Sequence, residues 1–123
     1  MTNRLTAARR DLVASITAPD ETKVHEVLPA KINSRRAIAF SPAPDYALGP
    51  EDYGRSLTLS VSAWLLVSPR NDVADAEDLD ELFLALYDGL PPGWAITTTD
   101  EPDVLRYGDW AMYGTRLTLT RIV

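Results

Sequence analysis

The sequence predicts an α+β fold: a central, mainly antiparallel mixed β-sheet with two helices packed on one face. Three observations lead there. Strand-like runs outnumber helical ones. Neighbouring strand-like runs are joined by turns rather than by helices, which favours antiparallel pairing. Only two stretches carry apolar residues at helical spacing, one near the start and one after the longest strand. At 123 residues the chain fits one domain, read as a single unit over 1–123.

The elements follow in order. Over residues 3–16, Leu5, Ala8, Leu12, Val13 and Ile16 make one apolar stripe, with Thr2 or Asn3 to cap the start and Pro19 to stop it. Arg4, Arg9 and Arg10 decorate its polar side. Val24–Leu28 and Arg36–Phe40 are short strand-like runs separated by a turn at Asn33–Ser34. Residues 41–55, SPAPDYALGPEDYGR, hold three prolines and two glycines and read as a long loop. Loops longer than about 12 residues in compact domains tend to be functional or disordered.

Residues 56–68, SLTLSVSAWLLVS, are the longest strand. One face is apolar throughout: Leu57, Leu59, Val61, Ala63, Leu65, Val67. The other is small and hydroxylated at Ser56, Thr58, Ser60 and Ser62, then bulky at Trp64 and Leu66. Proline at position 69 ends it. The next stretch, NDVADAEDLDELFLALYDGL, reads as a helix capped by Asn71 or Asp72, with a buried stripe of Val73, Ala76, Leu79, Leu82, Phe83, Leu86 and Leu90. Asp88–Gly89 and Pro91–Pro92–Gly93 close it. Strands over Trp94–Thr99 and about Trp110–Ile122 finish the chain, with Val104–Tyr107 paired between them. LTLSV at Leu57–Val61 echoes LTLTR at Leu117–Arg121, as expected of two central strands under the same constraints.

Composition excludes some functions. Twelve basic and eighteen acidic residues give a net charge of −6, the wrong sign for a chain that grips nucleic acid along its surface. Ten of the twelve basic residues are arginine, which suits bidentate pairs at interfaces and equally a GC-rich coding sequence. There is no cysteine, so no disulfide framework and no thiolate metal site. No apolar run is long enough to span a membrane, and the scattered charges of MTNRLTAARRDLVASI do not form a signal peptide. A soluble, cytoplasmic chain is the expectation.

Searching for chemistry gives little. His25 is the only histidine and no motif surrounds it. The serines alternate along a strand and sit in no nucleophile elbow. The acids from Asp72 to Glu81 contain no turn glycine and fall in helical register, so a solvated helix face is expected rather than a calcium loop. No catalytic residue, cofactor or metal site is assigned, and an enzyme is not expected.

Signals of assembly are clearer. Tyr46 and Tyr53 lie in the proline-rich stretch, where core packing is least expected, and tyrosine favours interfaces. The acids of the second helix, Asp75 and Asp78 among them, face an arginine-rich first helix. These charges meet either within one subunit or in a head-to-tail contact between copies; a head-to-tail contact closes into a ring when the rotation allows.

Taken together, the leading amphipathic helix ending in proline, the VHEVLP run, the LTLSVSAWLLVS strand leading into PRNDVADAEDLDELFLAL, and the closing YGTRLTLTRIV strand resemble the tail terminator proteins of long-tailed bacteriophages. These are neck proteins also called tail completion or minor tail proteins. The resemblance implies a mixed α/β subunit that assembles, as a hexamer, into a ring at the head-proximal end of the tail tube. It implies tail-tube and head-closure or connector proteins as partners, genomic DNA that only passes through the lumen, and a place in the virion after assembly in the host cytoplasm. On this reading Thr58, Ser60 and Ser62, extended by Thr118 and Thr120, turn towards a neighbouring subunit or the lumen. Trp64 and Leu66 mark where the second face becomes covered, by the 41–55 loop or by a neighbour. The alternatives are another connector or tail-tube ring protein, and a non-viral binding module or small enzyme.

Overall fold

The computed structural model describes residues 3–41, 45–48, 57–107 and 110–122. Helix α1 spans Arg4–Ala14, and strands β1 Thr22–His25, β2 Arg36–Phe40, β3 Asp45–Leu48 and β4 Leu57–Val67 follow. Helix α2 covers Asp72–Gly89, and β5 Ala95–Thr99, β6 Asp103–Tyr107 and β7 Trp110–Ile122 complete the chain. The fold is α+β, with a seven-stranded mixed sheet in the order β1-β2-β4-β7-β5.

Two long strands carry the rest. β4 and β7 pair antiparallel from Thr58↔Ile122 to Val67↔Tyr113, so the LTLSV and LTLTR echoes lie directly against each other. Each long strand is wide enough for two partners on its far side. β2 takes the Ala63–Val67 half of β4 and β3 takes the Leu57–Ser60 half. β5 and β6 divide β7 in the same way, at Leu117–Thr120 and Trp110–Gly114.

Alternation along β4 then creates two unlike faces. On the inner face Leu59, Val61, Ala63, Leu65 and Val67 join Leu117 and Leu119 of β7 under Ala8 and Leu12 of α1 and Leu79, Leu82 and Leu86 of α2. Both helices therefore pack on the same face, as the sequence predicts. Asn3 caps α1 by accepting from the Thr6 N–H at 2.9 Å, and Asn71 caps α2 through the Ala74 N–H at the same distance. The helices meet at their C-terminal ends, where the Gly89 backbone lies against the Ser15 carbonyl.

Four expectations need correction. α1 ends at Ala14, ahead of Pro19; the Ser15 hydroxyl turns back onto the Leu12 carbonyl at 2.7 Å, and Pro19 instead opens the turn that leads to Thr22. The first two strands are parallel, not a turn-linked pair, because residues 26–35 cross the outer face and bury Ile32 there. Within 41–55, residues 45–48 form β3 rather than loop. In α2, Val73 is 69% exposed and Ala76 is exposed, while the acids Asp75 and Asp78 take the buried positions of that turn.

The β4–β7 seam also fixes a glycine. A Cβ at Gly114 would lie 2.1 Å from the Leu65 carbonyl oxygen, so even a methyl forces the two backbones apart. Overpacking of this kind costs about 1–3 kcal/mol. Gly114→Ala is expected to lower the unfolding free energy by at least that amount in urea titrations, with an unchanged denaturant slope.

Candidate functional site

Two regions concentrate polar chemistry, and they lie on opposite sides of the sheet. The first is an ionic clasp on the helix side. Arg36 opens β2 opposite Val67, on the inner face, and is 2% exposed. Its Nη1 reaches Asp78 Oδ1 at 3.4 Å and Glu81 Oε2 at 3.0 Å on α2, and its Nη2 donates to the Asp20 carbonyl. Arg35 Nη1 and Arg70 Nη2 both meet Asp78 Oδ2 at 2.7 Å, and Arg35 Nε pairs with Glu21. The Arg70 backbone N–H donates to Asp75 Oδ1 at 3.0 Å.

Asp78 thus holds three guanidinium groups from two separate segments, the adjacent Arg35 and Arg36 at the start of β2 and Arg70 in the strand-to-helix link. Burial alone would raise its carboxyl, but hydrogen bonds from Arg35 and Arg70 outweigh that and hold its pKa below the ordinary aspartate value. Hydrogen bonding to Arg36 likewise lowers Glu81, and bonding to Asp78 raises Arg35. With carboxylates Glu21, Asp78 and Glu81 against the three arginines, the clasp is charge-balanced. Its chemistry is that of a fastener between β2, the strand-to-helix link and α2.

The second region is the outer face of the sheet. Register places Ser60 opposite Thr120, Ser62 opposite Thr118 and Thr118 beside Thr98 of β5. Thr58, Ser60, Ser62, Thr118 and Thr120 are all half-buried. They form hydroxyl rows over the β4–β7 seam, with Asp45 of β3 at the register position opposite Ser60 and Arg116 next to Thr118 along β7. Further along, the same face turns apolar. Leu66 and Met112 are buried with Ile32 and Ala37, and Leu28, Trp64 and Leu105 pack around them. Leu28 and Ile32 of the 26–35 crossover and Leu105 of β6 pack with Trp64 and Leu66. The Arg116 guanidinium lies 5.8 Å from the Trp64 ring centroid and its Nε meets Asp100 at 3.2 Å.

The expected site residues are distributed as follows. Thr58, Ser60, Ser62, Thr118 and Thr120 come together on one surface. Asp75 and Asp78, expected on an exposed acidic face, are 7% and 5% exposed, and Asp78 is used within the subunit. Their partners are Arg35, Arg36 and Arg70, not the arginines of α1. Arg4 and Arg10 are exposed on α1, and Arg10 lies 3.9 Å from Glu26. Arg9 is half-buried, with its Nε buried and unpartnered, beside a cleft of about 250 Å³ lined also by Thr6, Glu26, Val27 and Ser41. Tyr46 lies in β3 at the register position opposite Leu59. Tyr53 lies outside the described residues.

His25 stands opposite Ala39, on the outer face, with its Nε2 buried and unpartnered; burial and then the charge of Lys23 lower its pKa. Among the described residues, no group of three histidine, cysteine, aspartate or glutamate side chains is placed to hold a metal ion.

Sequence reasoning missed the clasp and the apolar cavity beside Trp64. The only signal for the clasp was Asp75 and Asp78 falling on the same helical stripe as Leu79, Leu82 and Leu86. No model of a known protein family matches the chain, and no curated protein matches it.

The clasp makes stability depend on pH. Asp78 and Glu81 have folded-state pKa values below their unfolded ones, so their contribution is present above the ordinary carboxylate range, near pH 4, and is lost as pH falls through the lower folded values. Removing one member of a buried ion pair leaves charge uncompensated, at a cost of about 3–5 kcal/mol. Asp78→Asn is expected to lose roughly that much at pH 7 and to flatten the fall in stability below pH 4, both read from urea midpoints across pH.

Proposed function

We propose that this chain is a structural subunit of a bacteriophage tail, the terminator that assembles as a ring on the head-proximal end of the tail tube and stops its growth. The observation that carries the reading is the division of labour between the two sheet faces. Both helices lie on the inner face, and the clasp fastens one of them there. On the outer face the hydroxyl-lined surface of β4, β7 and β5 has no helix over it among the described residues. Rows of serine and threonine offer small hydrogen-bonding side chains and close approach, which fits contact with a further copy or with a protein ring. The order of elements agrees with the resemblance, from the capped leading helix to the long closing strand.

The reading extends to partners. The ring would sit between the tail-tube protein and the head-closure protein, in the virion neck, with six copies as the expected number. DNA would pass through the lumen, and an acidic chain with net charge −6 would not grip it. Another connector or tail-tube ring protein would use the same kind of surface. A small binding module is the second reading, favoured by the cleft beside the unpartnered Arg9 Nε.

Mixing decides among them. Tail-tube protein of the same phage, polymerised with and without this chain, is expected to give tubes of limited length capped by a ring of density in electron micrographs. Uncapped tubes with the chain left in the supernatant would overturn the terminator reading and favour the binding module. The double substitution Ser60→Arg with Thr118→Arg is expected to leave the far-ultraviolet circular dichroism unchanged and to abolish capping; normal capping would exclude the hydroxyl surface from assembly.

A further inference from the structure

The solvent side of α2 carries large apolar side chains among its acids. Val73, Leu84 and Tyr87 are 69%, 54% and 59% exposed. Their spacing of eleven and three residues puts them on one helical stripe. Phe83 stacks on Tyr87 with ring centroids 6.1 Å apart, which fixes the tyrosine against the helix. Glu77 and Asp80 lie exposed along the same stripe. The stripe reads Val73, Glu77, Asp80, Leu84, Tyr87, so its C-terminal end is an apolar ridge of Leu84 and Tyr87 preceded by two carboxylates.

The outer face of the sheet carries the complement. A cavity of about 250 Å³ is lined by Leu28, Trp64, Leu66, Leu105, Arg106 and Met112. Leu66 and Met112 form its buried floor, and Arg106 is exposed at its edge. Arg116 lies over Trp64 and, among the described residues, engages Asp100 through Nε, with its terminal nitrogens directed to no other described carboxylate. Apolar walls with Arg106 at the edge and Arg116 over the adjoining Trp64 ring match an apolar ridge preceded by two carboxylates.

Ridge and cavity are on opposite sides of the same sheet, so they cannot meet within one chain. Nor does a two-fold dimer pair them by self-contact of one patch; joining them is a head-to-tail contact, which closes into a ring or continues as a filament. We infer that Leu84 and Tyr87 of one copy seat in the Trp64–Met112 cavity of the next, with Glu77 and Asp80 facing that neighbour's Arg106 and Arg116. This rests on the ring reading above and names its subunit contact. It also gives the two-part outer face of β4 a cause: the bulky end is the neighbour's seat, and the hydroxyl rows continue the same surface.

The chain contains no cysteine, so introduced thiols report cleanly. Leu84→Cys and Leu105→Cys, made as separate variants, are mixed and treated with a short bismaleimide, both free at high concentration and in the presence of tail tubes. A contact within the linker's span is expected to give the mixed thioether-linked dimer in at least several-fold higher yield than Leu84→Cys mixed with Thr17→Cys, an exposed position after α1. Leu28→Cys replaces Leu105→Cys as a second probe of the cavity should that variant fold poorly. Yield no higher than the control under both conditions overturns the inference. The outcomes separate from those of the functional reading: cross-linking without capped tubes keeps the contact and removes the terminator role, whereas capped tubes without cross-linking keep the role and remove this contact.

Discussion

The pairing of β4 with β7 is the constraint on which the rest of the structure depends. Because side chains alternate, a slip of one residue in that register would turn Leu59, Val61, Ala63 and Leu65 away from the helices and bring Thr58, Ser60 and Ser62 into the core. The apolar side excludes that slip, and Gly114 at the Leu66 position lets the two backbones close. With the seam fixed, β2 and β3 on one flank and β5 and β6 on the other have only to match half a strand each. The hydroxyl surface and the Trp64 cavity are both products of this one register.

The clasp settles where α2 lies. A buried ion pair returns little net stability, because desolvation offsets much of the attraction. Its effect is directional: Asp78 can satisfy Arg35, Arg36 and Arg70 in few orientations, so α2 is held at one rotation about its axis. That rotation sends Leu79, Leu82 and Leu86 into the core and leaves Val73, Leu84 and Tyr87 in solvent. The acids that the sequence suggested for contact between copies therefore act one step earlier. They orient the helix whose other side we assign to the contact.

Much of this was legible in the sequence, and the remainder was hidden for identifiable reasons. Period-2 alternation identified β4 and β7, their kinship as central strands, and the two-part face of β4. Helical spacing and asparagine caps identified α1 and α2 and the face they share. Periodicity reports which side of an element is buried, not its partner, so the parallel β1–β2 pairing and the short β3 were not visible. Asp75 and Asp78 looked like solvent-facing acids because the arginine partners of Asp78 lie 8 to 43 residues away in sequence. Once those arginines bring a carboxylate inside, Val73 and Ala76 lose the buried position that their hydropathy suggested. Among the site residues, the hydroxyls were readable from alternation, whereas the cavity needs Leu28, Trp64 and Met112 to come from three distant segments.

In the arrangement we propose, the helix side of the sheet is closed within the subunit, and copies meet through the outer face and the exposed ridge of α2. Hydroxyl-radical footprinting of the chain, free and on tail-tube ends, tests this most directly. Trp64, Leu105 and Tyr87 are predicted to lose labelling on assembly, while Leu5 of α1 keeps its rate. Unchanged labelling of Trp64 and Tyr87 with protection along α1 would contradict the account and move the contact to the other side of the molecule.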